Sequence, residues 1–320
     1  MRRRDLIAWL LAAPLATRAA AQERRRISIL HSGFPNRTPI HLLFEALLAL
    51  GYENDRTATI DLLGAEGAPN RLNTFVVQLV AEKPDVIIAL TSPAVLALRH
   101  AGLTTPVVFL FVSDPVGLGI VESLARPGAN FTGVTYSEAE LGGKRLELLV
   151  DALPGTTRVA VLWSPSFAEN VAILESIRGS ASTRGIEVFS RELRGAQDLA
   201  PAFDDATRAG VQAVVFMTDN ALFAHRKEVA ELALAHRLPS IHSFPPEVQD
   251  GGLMSYGPDL TENYRRAAAL ADRILKGTRP ADLPVEEPRK FQFVVNLKTA
   301  TALDLTIPQS ILARADEVIE

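Results

Sequence analysis

The sequence predicts an α/β protein made of two similar lobes, each built on a parallel sheet. Three observations predict it. Short apolar runs alternate with stripes of apolar residues at helical spacing, the pattern of successive βα units. The alternation pauses near Pro127-Gly128 and starts afresh at Val159, giving two α/β units of similar length. Extended segments near Gly133, near Tyr256 and from Pro280 to Pro288 are the natural crossovers, three in all, between the lobes. The chain of 320 residues suits two domains, or one large one, with a sizeable core, and 48% apolar residues exclude disorder.

In the first unit, Ile27 to Leu30 reads as a strand ending at His31-Ser32-Gly33. Leu42, Leu43, Ala46, Leu47 and Leu50 recur at helical spacing until Gly51 stops them. Thr59 to Leu63 reads as a strand, and Leu72, Phe75, Val76, Leu79 and Val80 form the next helical stripe, closed by Lys83-Pro84. Val86 to Leu90 is a continuous apolar run, as expected of a strand covered on both faces. A short helix from Ala94 to His100 and a second buried-type strand from Val107 to Val112 follow. Phe131 to Thr135 is extended, and a long helical pattern from Glu138 to Leu153 ends at Pro154-Gly155.

The second unit repeats the plan. Strand Val159 to Trp163 precedes helix Asn170 to Thr183, and strand Glu187 to Phe189 precedes helix Asp198 to Ala209. Strand Ala213 to Met217 precedes helix Ala221 to His236, before a short strand from Ser240 to His242. A helix from Leu260 to Lys276 and a strand from Phe291 to Val295 complete the pattern. The expected lobes are residues 22–134 with 257–282, and residues 135–256 with 283–320. No period of about 20–50 residues repeats, which excludes a solenoid.

Residues 1–21 stand apart. Arg2, Arg3 and Arg4 lead into the apolar run Leu6 to Ala13, and Ala19-Ala20-Ala21 precedes Gln22. A charged start, a short apolar stretch and a small-residue site read as an export signal cleaved near Ala21. Arg3-Arg4-Asp5-Leu6-Ile7 also resembles a twin-arginine signal. The expected location is the periplasm. The absence of cysteine excludes disulfides, a thiolate nucleophile, Cys-ligated zinc and lipid attachment through an N-terminal cysteine. A formal net charge of −4 argues against a nucleic-acid partner held by broad phosphate neutralisation.

In open α/β sheets, ligands lie beyond the carboxyl ends of the strands. Here those ends carry His31-Ser32-Gly33-Phe34, Thr91-Ser92-Pro93-Ala94, Ser113-Asp114, Trp163-Ser164-Pro165, Thr218-Asp219-Asn220 and Ser243-Phe244. Thr91 and Ser92 can cap the helix that follows while its free N–H groups face an anion such as a carboxylate. Asp219 can accept from an ammonium or hydroxyl group. Phe34, Tyr136, Trp163 and Tyr256 can supply an apolar or stacking wall. Each Ser, Thr or Asp has a plain helix cap as its alternative role, and His31 a structural one.

Enzyme signatures fail in turn. Gly117-Leu118-Gly119 begins like a dinucleotide fingerprint, but Glu122 stands where the third glycine belongs. Gly142-Gly143-Lys144 is followed by Arg145 rather than Ser or Thr. There is no G-x-S-x-G and no H-E-x-x-H, and the histidines are scattered. No catalytic residue, metal site or cofactor is expected.

The chain resembles the exported substrate-binding proteins of ABC transporters, in the group that includes tryptophan-binding and related solute receptors. The resemblance runs through Ala81 to Ile87, Val112 to Gly119, Arg126 to Val134 and Thr218-Asp219-Asn220. It continues with Val294 to Ala300 and Thr306-Ile307-Pro308, and on through Leu312 to Ile319. It implies the type I periplasmic-binding-protein fold, two Rossmann-like lobes joined by three crossovers and closing on a solute. It also implies delivery of a small organic solute, a carboxylate or an aromatic or other amino acid, to ABC permease subunits in the inner membrane. The site it implies is His31 to Phe34, Thr91 to Ala94, Ser113-Asp114 and Thr218 to Asn220. Trp163-Ser164-Pro165 stands where many members have Asn or Tyr-Asn beside the proline, and Ser243-Phe244-Pro245-Pro246 puts bulky, rigid residues where small polar ones are common, which favours a larger or more apolar solute.

The expected mechanism is hinge closure of a monomer: a solute touching both rims is bound better in the closed form and shifts the population toward it. Two other classes fit less well. A sensory receptor would present the solute to a membrane kinase or chemoreceptor instead of a permease. An exported α/β hydrolase would need a nucleophile motif that the chain lacks. A sugar-responsive repressor core shares the fold, but an export signal stands where its DNA-binding helices would be.

Overall fold

The computed structural model describes residues 24–320, so the predicted export signal lies outside the described residues. The chain begins β1 (Arg25–His31), α1 (His41–Ala49), β2 (Ala58–Gly64), α2 (Pro69–Glu82), β3 (Val86–Leu90), α3 (Ser92–His100), β4 (Val107–Val112) and β5 (Phe131–Thr135). It continues with α4 (Glu138–Ala152), β6 (Arg158–Trp163), α5 (Asn170–Thr183), β7 (Glu187–Glu192), α6 (Leu199–Arg208), β8 (Ala213–Phe216), α7 (Asn220–Ala224), α8 (Arg226–Ala235) and β9 (Ser240–His242). The last elements are α9 (Pro245–Gln249), β10 (Met254–Pro258), α10 (Leu260–Leu275), β11 (Phe291–Asn296), α11 (Leu297–Ala302), α12 (Gln309–Leu312) and β12 (Glu317–Ile319).

These elements form two sheets. The first has the order β2-β1-β3-β4-β5 and the second β12-β11-β10-β9-β8-β6-β7. Alternate burial explains the apolar runs. In β3, Val86, Ile88 and Leu90 join the core under α1 and α10, while Ile87 and Ala89 join the core under α2 and α3. In β6, Val159, Val161 and Trp163 face α4 and α5, while Ala160 and Leu162 face α6 and α8. Both faces are covered, so a polar side chain on either strand would be buried without water.

Three stretches pass between the sheets: β5 to α4, β10 to α10, and the return from α10 to β11. Helix α10 follows a strand of the second sheet yet packs Ala267, Ala268, Ala271 and Leu275 against the first. Asp259 starts it, its side chain accepting from the Glu262 N–H at 3.0 Å. On the return, Glu286 N donates to Gly133 O at 2.9 Å and its carbonyl accepts from Thr135 N at 2.8 Å. That pairing covers the outer edge of β5.

The structure departs from the sequence reading in three places. The helix expected from Ala221 to His236 is broken at His225, whose backbone (φ −107°, ψ 19°) leaves the helical region. Leu222 stays in the second lobe's core while Phe223 packs into the first lobe's cluster, two directions that a straight helix packed on one sheet does not serve. The second sheet is mixed, because β10 pairs antiparallel with β11. The chain leaves along β10, turns through the other lobe and returns beside it in the opposite direction. Finally, Pro245-Pro246 open a helix instead of a rigid loop, with Glu247 accepting from the N–H groups of Ser243 and Phe244 at 3.1 and 2.9 Å.

Candidate functional site

The carboxyl ends of the strands meet between the lobes and enclose a cleft of two chambers. The inner chamber is narrow and open at its mouth. Its polar wall is His31, Thr91, Thr218, Asp219, Asn220 and Ser243, with Glu247 behind. Its apolar wall is Phe111, Leu260 and Tyr264 from the first lobe, and Phe223 and Phe244 from the second. The rings meet edge to face: Phe111 lies 5.6 Å from Tyr264 and 5.9 Å from Phe244, and Phe223 lies 5.9 Å from Phe244. The outer chamber is lined by Ser32, Phe34, Pro69 and Pro93 on one side. Ser164, Ser166, Phe167 and Arg194 line the other side, and Asp219 and Asn220 border both chambers.

Two strained residues shape the inner wall. Phe111 has φ +59° where β4 loses register between Leu110 and Val112. This irregularity turns its ring out of the strand's alternation toward Tyr136, Phe244 and Tyr264. Thr91, which starts α3, has φ +80°. Bulky residues at positive φ cost about 1–3 kcal/mol each and tend to mark working surfaces.

The lobes are closed on each other. Asn220 Nδ2 donates to Ser32 Oγ at 2.8 Å, Arg226 Nη1 to Arg37 O at 2.8 Å, and Arg37 Nη1 to Ala224 O at 3.3 Å. Ser32 Oγ also meets Thr91 Oγ1 at 2.6 Å, and Ser92 Oγ donates to Glu169 Oε1 across the cleft.

His31 is buried, and burial pulls its pKa down to about 4, so it is neutral in the folded protein. Its Nδ1 accepts from Gly33 N at 2.8 Å, which leaves the proton on Nε2. The unfolded chain protonates His31 near its ordinary value of 6.5, and the folded one only near 4. Stability from this group is therefore complete above pH 6.5 and falls as the pH drops toward 4, by about 3 kcal/mol in all. Urea midpoints of wild type and His31→Asn measured from pH 7 to 4 check this. The wild type should lose more stability over that window, and equal losses would remove His31 as the source.

A buried network ties together two of the crossovers between the lobes. Arg145, fully buried, holds Glu138 through two bonds of 2.7 Å. Its Nε donates to Tyr256 O at 2.9 Å and its Nη2 to Tyr136 OH at 3.1 Å. Thr218 Oγ1 joins Tyr136 OH at 3.0 Å, Glu138 Oε2 at 3.2 Å and Ser243 Oγ at 2.8 Å. Two crossovers, at Tyr136 and at Tyr256, are thus tied to two residues of the inner wall.

The predicted site residues divide accordingly. His31, Ser32, Phe34, Thr91, Thr218, Asp219, Asn220 and Ser243 line a chamber. Ser92 reaches the seam between the lobes through Glu169, whose carboxylate also feels the Ser113 backbone N–H. The others lie elsewhere. Ala94 lies in the first lobe's core, and Trp163, facing α4 and α5 by strand alternation, in the second's. Asp114 is exposed and closes its own turn, accepting from Gly117 N at 2.7 Å. Tyr136 and Tyr256 stand at crossovers between the lobes, where Tyr256 stacks on Phe291 at 6.0 Å. Asp219 is a cap as well as a wall, accepting from Leu222 N at 2.8 Å. The sequence reading missed Phe111, Phe223, Leu260, Tyr264 and Glu169, which sit inside apolar or helical patterns that carry no ligand signal. Among the described residues no group of three or more His, Cys, Asp or Glu side chains could hold a metal, and no helix is long and apolar enough to cross a membrane.

Comparison with known proteins agrees with this geometry. A family model described as ABC transporter substrate binding protein matches residues 39–319. A tyrosine-binding protein of Clostridioides difficile is 26% identical over 262 residues, 82% of this chain and 75% of that protein. The crystal structure of a conserved domain protein from Vibrio cholerae aligns at 26% identity with a TM-score of 0.86, over 92% of this chain and 100% of the other. The ABC domain in complex with L-Trp from Streptococcus pneumonia aligns at 27% identity and 0.84, with the same coverage. With two α/β lobes of the type I periplasmic-binding-protein fold closed over a lined cleft, the chain belongs to the family of ABC transporter substrate-binding proteins.

Proposed function

We propose that this protein captures an amino acid with an aromatic or bulky apolar side chain in its interlobe cleft and hands it to an ABC permease of the inner membrane. The carrying observation is the inner chamber, where rings from both lobes surround a space edged by hydroxyl and amide groups. A solute touching Phe111 and Tyr264 on one side and Phe223 and Phe244 on the other gains from both only when the lobes are closed. Similarity to proteins that bind tyrosine and L-Trp supports the reading. On this reading the protein is an exported monomer, cleaved near Ala21. Its lobes, residues 22–134 with 257–282 and residues 135–256 with 283–320, move as rigid bodies.

Titration calorimetry with tryptophan, tyrosine and phenylalanine should give micromolar or tighter binding, about −8 kcal/mol or better. Absence of binding to all three, with binding to sugars or plain organic acids instead, would refute the assignment. Phe244→Ala should weaken the binding by about 10- to 100-fold, the worth of one buried ring. N-terminal sequencing of protein from the periplasmic fraction should begin near Gln22.

A further inference from the structure

We propose that Glu169 is the receptor for a positively charged nitrogen on the solute, so that this cleft selects amines and rejects acids of the same shape. The inference rests on the cleft being the solute site. Glu169 immediately precedes α5 in the second lobe, and its Oε1 accepts from Ser92 Oγ of the first, which places the carboxylate in the seam between the closed lobes. The residue is 8% exposed, and its Oε2, fully buried, has no hydrogen-bond partner. A buried carboxylate oxygen without a donor is strongly unfavourable, so the closed state of this protein lacks one donor.

The charge around the cleft says which donor. Asp219 and Glu247 line the chambers, and His31 is neutral. Among the described lining residues the cation is Arg194, whose side chain is 77% exposed and paired with Glu192. Burial pushes the Glu169 carboxyl up, against the lowering effects of the Ser92 hydroxyl and the backbone N–H groups of Glu169 and Ser113, and the nearby Glu138 carboxylate pushes it further up. Residues next to the seam in sequence line the outer chamber: Pro93 follows Ser92, and Ser166 and Phe167 lie shortly before Glu169. A hydroxyl from the solute would satisfy the open oxygen alone. An ammonium satisfies it and balances the charge as well.

Calorimetry at pH 7.5 with three matched probes tests this on wild type and Glu169→Gln. The probes are L-phenylalanine, 2-phenylethylamine, which lacks the carboxylate, and 3-phenylpropionate, which lacks the amine. In the wild type, loss of the amine should weaken binding by about 10- to 100-fold, the range of a charge-assisted hydrogen bond. In Glu169→Gln that difference should shrink to about threefold or less, with 3-phenylpropionate unchanged or tighter. Thermal unfolding confirms that the variant is folded. Equal weakening of all three probes would make Glu169 a structural latch and overturn the proposal, as would undiminished discrimination in the variant. If phenylethylamine binds through Glu169 but phenylalanine does not, the amine receptor stands and the amino-acid reading fails. If neither amine binds, the proposal fails whatever phenylpropionate does.

Discussion

Arg145→Met should lower the free energy of unfolding by about 3–5 kcal/mol, a large part of the stability of an ordinary domain. The side chains of Arg145 and Glu138 are 0% and 2% exposed, so the substitution strands a carboxylate where water does not reach it. It also removes the donors to Tyr256 O and Tyr136 OH. A double variant, Arg145→Met with Glu138→Leu, should recover much of the loss, because replacing both charges by apolar groups removes the uncompensated ion. Urea denaturation of both variants measures this. A loss below about 1 kcal/mol in the single variant would mean that the pair behaves as a solvent-exposed bridge. The double variant also separates fold from function. It keeps a packed core but loses the bond from Thr218 to Glu138. It should therefore bind solute more weakly than its stability suggests.

Gly33→Val should leave the fold intact and lower solute affinity by at least about tenfold. A Cβ at this position would lie 2.7 Å from Asn220 Cγ and 2.8 Å from Asn220 Cβ. Those carbons belong to the first residue of α7 in the opposite lobe, so the clash exists only when the lobes are closed. The backbone of Gly33 is not in the left-handed region, so an L side chain is not strained there. The substitution therefore penalises one conformation and spares each lobe. Calorimetry and thermal unfolding together check it. Wild-type affinity with an unchanged melting temperature would show that the Gly33–Asn220 approach is not needed for binding.

Much of this protein is legible in its sequence. The extents of β3, β4, β5, β9 and α5 coincide with their predicted ranges. Each is a run whose composition answers to one local demand, such as burial on both faces of β3 or a helical stripe in α5. Eight of the predicted site residues also line the cleft, because the loop after a parallel strand is where the geometry of the sheet delivers polar groups. Aromatic residues were harder to place. Trp163 and Tyr136 looked like wall residues because they stand at strand ends, but strand alternation turns Trp163 into its own lobe and the Arg145 network holds Tyr136. Phe111 looked like core and became wall, because a loss of register in β4 re-aims it.

Local periodicity and strand-end composition, set by contacts between near neighbours along the chain, carried the two α/β units, the cleft's polar rim and the resemblance to solute receptors. The apolar wall, the mixed second sheet, the break at His225 and the Ser92–Glu169 seam arose from distant segments packing together. Tyr264 lies 153 residues beyond Phe111, yet their rings pack at 5.6 Å. A contact of that kind depends on how α10 crosses to the other lobe, and no window of sequence contains both partners.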